Sequence, residues 1–134
     1  MPIDDYVKKH NQFAEALRKE APKVQFVGVG DSGSGWSEAM LKGCAANMNL
    51  LSEHFYCGRK PELIAHTLQI GDNIRSKVTA HRGYFERLPE LKDRNIPICM
   101  DEWNYWYGPH PYGELGTQYF LNDALGIAGF TSNH

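Results

Sequence analysis

The chain has 134 residues, 42% of them hydrophobic and 22% charged, with a formal net charge of -2. That is the size of one ordinary globular domain, spanning residues 1–134 without a second domain, and the apolar share excludes a disordered chain. A charge this close to neutral excludes a strongly basic nucleic-acid binder and gives no reason to expect an acidic membrane partner.

No apolar run approaches the ~20 residues of a membrane-spanning helix. Met1-Pro2-Ile3-Asp4-Asp5 lacks the basic and then apolar order of a signal peptide, so localisation is unknown and leans cytoplasmic. Cys44, Cys57 and Cys99 lie far apart, which predicts free thiols and no disulfide framework. The histidines form neither an H-E-x-x-H motif nor a Cys/His cluster, so no metal or other cofactor is expected.

In chain order, a first helix is predicted from about Asp5 to Glu20, capped by Asp4 or Asp5, with Tyr6, Phe13, Ala14 and Leu17 near one face. Lys23 to Val29 reads as a strand rich in β-branched and aromatic residues. The loop Gly30-Asp31-Ser32-Gly33-Ser34-Gly35 leads to a helix from Trp36 to Ala46, capped by Ser34 or by loop backbone. Leu50 to Phe55 is the second strand. Pro61 suits the first position of a long helix from Glu62 to Leu88, within which Gly71 and Gly83 invite a bend. Ile96 to Asp101 is the third strand, and Gly108 to Gly113 a loop. Thr117 caps a final helix with Phe120, Leu121, Ala124, Leu125 and Ala128 on its inner face.

Strands separated by helices imply a parallel sheet. Two architectures fit, a doubly wound open sheet and a segment of a (β/α) barrel. In both, ligands gather at the carboxyl ends of the strands.

Three stretches sit there. Gly28-Val29-Gly30-Asp31-Ser32-Gly33 matches G-x-G-x-x-G, with Glu53 twenty residues further on, a dinucleotide-binding pattern. A tight βα turn is the plainer reading, because Trp36 crowds the helix start where a phosphate would approach. His54 and Tyr56 are two apart and share a face, while Glu53 and Phe55 point the other way. A His and a Tyr at a strand mouth suit hydrogen bonds to a polyhydroxylated ligand, or a satisfied core pair.

Asp101-Glu102-Trp103-Asn104-Tyr105-Trp106-Tyr107 places four aromatics beside carboxylates and an amide. Flat apolar faces with polar tips suit stacking on sugar rings. By alternation Glu102 faces the mouth, Asn104 returns to its side, and Asp101 faces the helix layer. Retaining glycoside hydrolysis needs two carboxyls ~5–5.5 Å apart. Glu53 lies on the wrong face, Asp31 two strands away, and Asp101 is separated by alternation. The chain offers one good carboxylate and no convincing second.

Asp101 to Tyr107 resembles the D-E-W-N-x-W-Y segment of the family 51 glycoside hydrolases, the α-L-arabinofuranosidases. Val27 to Trp36, Ser52 to Tyr56 and Asn122 to Ala128 are similar to further parts of that family. The resemblance implies a partial (β/α)8 TIM barrel, about strands 5 to 7 with helices 4 to 7. It implies that Glu102 is the catalytic nucleophile, that His54 and Tyr56 contact the sugar, and that Trp103, Asn104 and Trp106 line the substrate site. The family's acid/base is a Glu preceded by Asn, a pair absent from these residues.

The expected object is therefore an internal fragment of a catalytic barrel, poorly stable and inactive alone. Its parent would act on arabinose-containing oligo- or polysaccharides, with no nucleic-acid or membrane partner, and a homo-oligomeric parent is left open. The rival readings are a nucleotide-binding α/β domain using Gly28 to Gly33, and a non-catalytic carbohydrate-binding remnant using Trp103, Trp106 and Tyr107 as a stacking face.

Overall fold

The computed structural model describes residues 1–113 and 116–131. Its element order is α1 (Ile3–Glu20), β1 (Val27–Val29), α2 (Gly35–Cys44), β2 (Leu50–Cys57), α3 (Leu63–Thr67), α4 (Gln69–Arg87), β3 (Ile98–Tyr105) and α5 (Leu121–Thr131), with short 3-10 turns at Ala45–Asn47 and Pro89–Leu91. The strands form a parallel sheet in the order β1-β2-β3, with Val27 opposite Leu50 and Val29 opposite Ser52. This is the alternating α/β arrangement of part of a TIM barrel.

Most of the expected elements form, and their limits differ for identifiable reasons. Asp4 and Asp5 sit inside the first turn of α1, where they complement the helix dipole, and Pro2 rather than either Asp takes the cap position. The first strand contracts to Val27–Val29. Ahead of it, Phe26 N–H is taken by the Asn49 side chain at 2.9 Å, while Phe26 O still accepts from Asn49 N–H at 2.8 Å and Leu50 N–H at 3.2 Å. Ser34 caps α2, its hydroxyl accepting from Trp36 N–H at 3.2 Å.

The long helix is broken at Leu68, between α3 and α4, and not at Gly71 or Gly83. Glu62 is extended, so Pro61 precedes the helix rather than starting it. β3 begins only after Pro97, which has no N–H to offer a ladder. It then continues through Tyr105, taking in residues expected to lie beyond the strand.

Thr117 does not cap the last helix, which starts at Leu121. Its inner face is also different. Asp123 and Gly126 are buried, whereas Leu121 is 76% and Leu125 47% exposed. The Asp123 carboxylate accepts from Phe120 N–H at 2.7 Å and from the side chains of His66 and Tyr107, which turns that face inward. A side chain at Gly126 would collide with the Tyr105 ring, so α5 packs there through a bare backbone.

The chain packs as two compact units, Met1–His54 with Lys77–Asp101, and Phe55–Ser76 with Glu102–His134. The first has a core of Met40, Leu41, Cys44, Met48, Leu51, Tyr84, Leu88, Leu91 and Ile96, with Tyr6, Val7, Trp36 and Phe85 packed against it. The second buries Phe55, Cys57, His66, Ile70, Tyr105 and Asp123. Among the described residues no helix is long and apolar enough to cross a membrane.

A buried carboxylate organises the loop of the first unit. Glu53, whose side chain is 0% exposed, pairs with Lys77 Nζ at 2.9 Å. It also accepts from Ser32 N–H at 2.9 Å and from the Ser32 hydroxyl. Removing one partner of such a buried pair leaves an uncompensated charge. Glu53→Ala is expected to lower the unfolding free energy by about 3 kcal/mol, read as a lower urea midpoint; an unchanged midpoint refutes the role.

Candidate active site

The β1–α2 loop does not present a phosphate cradle. Its amides are already committed: Asp31 N–H to Ser37 Oγ at 2.7 Å, Ser32 N–H to Glu53, Gly33 N–H to Tyr84 Oη at 2.8 Å, and Ser34 N–H to Asp31 O at 3.0 Å. Gly33 has φ +95°, a turn conformation that side chains disfavour. Glu53 cannot hold a ribose, because it is buried beneath this loop. The G-x-G-x-x-G spacing is thus the signature of a tight turn tied down from inside.

On β2, Glu53, Phe55 and Cys57 are buried while His54 and Tyr56 are exposed, as the alternation requires. In the first unit, His54 Nε2 lies 3.2 Å from Ser52 Oγ and 3.2 Å from Asp101 Oδ1. Ser52 Oγ donates to the same Asp101 oxygen at 2.8 Å. Asp101 is 43% exposed and does not face the helix layer. Its carboxylate turns to His54 and Ser52, so alternation along β3 fails to predict where this acid points.

In the second unit, the Tyr56 hydroxyl donates to Glu102 Oε1. Both residues are exposed, and they sit toward the carboxyl ends of neighbouring parallel strands. Trp106, 47% exposed, lies tilted against the Tyr56 ring at 5.8 Å and stacks on His110 at 5.6 Å. Bringing a carboxylate, a phenol and an indole together makes one polar anchor and one apolar face, the combination a sugar ring needs.

The remaining aromatics do not form a continuous platform. Trp103 stacks on Phe55 at 6.2 Å, and Tyr105 is fully buried. Tyr107 is spent on Asp123, its hydroxyl lying 2.7 Å from Oδ2 and 2.9 Å from Oδ1, so it is not part of an open stacking face. Asn104 Oδ1 accepts from Tyr105 N–H at 2.8 Å.

The sequence reading missed one group altogether, the buried pair His66 and Asp123 at 2.7 Å. No spacing marks it, since the two residues are far apart in the chain. Burial pushes the Asp123 carboxyl up, but the donors Phe120 N–H, Tyr107 and His66 outweigh it and leave the group below its ordinary 3.8. Burial first, then the bond to Asp123, pushes the Tyr107 phenol up to about 12.

Neither a protein-family model nor a curated protein matches the sequence. Solved structures do match the fold. An arabinofuranosidase superposes with a TM-score of 0.84 at 19% identity, over 98% of this chain and 27% of its own. The α-L-arabinofuranosidase of Thermotoga maritima, solved as an arabinose complex, gives 0.81 at 19% identity over 98% of this chain and 27% of its own. The thermostable GH51 α-L-arabinofuranosidase of Thermotoga petrophila gives 0.77 at 19% identity, covering 99% and 28%.

The fold is that of part of a TIM barrel. The chain spans less than a third of the length of each of these structures. At this identity the likeness concerns the fold, and the chemistry has to be argued from the side chains.

The bond to Glu102, followed by partial desolvation and the carboxylate's charge, holds the Tyr56 phenol above its ordinary 10. Because the folded value is the higher one, this bond's stabilisation is complete below pH 10 and is lost as pH rises through the folded value. Glu102→Gln is expected to return the Tyr56 titration toward 10, followed by the ring-carbon NMR shift of the labelled tyrosine. A midpoint that does not move rules out the bond as the cause.

Proposed function

We propose that the parent protein is a retaining glycoside hydrolase releasing terminal α-L-arabinofuranosyl groups from arabinose-containing polysaccharides such as arabinan or arabinoxylan. Glu102 is its nucleophile, and this chain supplies one part of its catalytic barrel. The observation that carries the reading is the Tyr56–Glu102 hydrogen bond beside the exposed indole of Trp106.

Tyr56 occupies one carboxylate oxygen and orients the other toward the sugar. That oxygen attacks the anomeric carbon, an ester to the enzyme forms, and the bond to the leaving oxygen breaks with its electron pair staying on that oxygen. A second carboxyl protonates the leaving oxygen, then takes a proton from water as the ester is hydrolysed. The family resemblance gives this role to a Glu after Asn, which is lacking here. The acid/base is therefore proposed to come from outside these residues.

Trp106 supplies the stacking face and Trp103 and Asn104 shape the strand end, and the family resemblance gives His54, in the first unit, a sugar hydroxyl as well. An imidazole held by Ser52 and Asp101 is suited to that task.

The chain by itself is expected to release no nitrophenol from an aryl α-L-arabinofuranoside above background; turnover near that of a whole enzyme would sink the incomplete-site reading. In the intact parent protein, Glu102→Ala should reduce kcat by about 10⁴-fold or more. Azide, filling the vacated position, should restore turnover and yield the glycosyl azide of inverted configuration. Retained activity in that variant without azide refutes the nucleophile assignment.

A further inference from the structure

Two residues flank Trp106, and both are anchored. Tyr105 is fully buried and stacks on His66, with ring centroids 4.5 Å apart and an interplanar angle of 11°. Its hydroxyl donates to His66 O at 2.7 Å. Tyr107 meets His66 edge-on at 6.3 Å and donates to the Asp123 carboxylate. Trp106 lies between these two fixed neighbours. Its own N–H donates to Cys57 O at 2.9 Å, and its indole turns to Tyr56 and His110.

The anchor beneath them is well defined. Lys60 N–H donates to His66 Nδ1 at 3.1 Å, so that nitrogen is unprotonated and the proton sits on Nε2. Nε2 then donates to Asp123 Oδ1 at 2.7 Å. Asp123 also receives Tyr107 and Phe120 N–H. One buried carboxylate thereby ties together the segment after β2, the segment after β3 and the start of α5.

We propose that Asp123 is the positioning residue of the arabinofuranosyl platform: through Tyr107 and His66 it holds Trp106 against Tyr56, the residue bonded to Glu102. The assignment of the ligand rests on the function proposed above; the positioning of the indole does not. Asp123 touches no substrate. It acts by limiting the movement of the segment after β3 that carries Trp106, and a loosely held stacking partner loses most of its worth to a bound ring.

The test uses the whole chain with labelled indoles. The Trp106 peak is identified by its absence in Trp106→Phe, and Trp36, whose Nε1 donates to Val29 O in the first unit, serves as the fold control. Tyr107→Phe keeps the ring and removes the bond to Asp123; Asp123→Asn changes the acceptor itself. Both are expected to shift or broaden the Trp106 indole resonance while that of Trp36 stays in place. An α-1,5-linked arabinotriose titration should give about tenfold weaker binding in both variants.

A Trp106 resonance unmoved in Tyr107→Phe overturns the proposal. If Asp123→Asn loses the Trp36 signal as well, that variant has unfolded and Tyr107→Phe alone decides. If the unaltered chain binds no arabinotriose while the indole still responds, the sugar reading fails and the positioning stands.

Discussion

The alternation of β2 is the constraint on which both the core and the candidate site depend. Parallel pairing with β1 sets its register, and from Glu53 onward each successive side chain changes face. Glu53, Phe55 and Cys57 go inward, where they meet Lys77, Trp103 and Asn73. His54 and Tyr56 go outward, where they meet Asp101 and Glu102. A shift of register by one residue would bury the phenol and expose the carboxylate that holds the loop, so fold and chemistry are specified by the same pairing.

Three carboxylates illustrate how environment decides role. Glu53 is buried, paired with a lysine and bonded to loop donors, which makes it a structural tie. Asp123 is buried with an imidazole, a phenol and a backbone amide around it, and its proton affinity falls because those donors together outweigh burial. Glu102 lies exposed with a phenol on one oxygen. Of the three, Glu102 is the exposed one, while the other two are buried among their partners.

The stretch from Glu102 to Tyr107 divides its aromatics accordingly. A run of Trp and Tyr reads in sequence as one stacking surface. In the folded chain Tyr105 and Tyr107 anchor inward on His66 and Asp123, and Trp106 is left on the outside. The same residue types therefore serve as core, as hydrogen-bond anchor and as exposed face, depending on the partners the fold brings to each.

The amino-acid sequence by itself determined the alternating helix and strand order, the parallel sheet, the shared face of His54 and Tyr56, and the D-E-W-N-x-W-Y stretch as the place to look. These are local properties, set by periodicity, turn chemistry and the two-residue repeat of a strand. Only the tertiary structure decided that Asp101 turns to His54, that the glycine loop is tied down rather than open, that α5 buries Asp123 in place of its leucines, and that His66 stands behind the aromatics. Each of those depends on a partner distant in the chain: Glu53 for Ser32, Ser52 for Asp101, and His66 for Asp123. A buried polar group must find its hydrogen bonds wherever the fold brings donors to it, and no spacing along the sequence records that meeting.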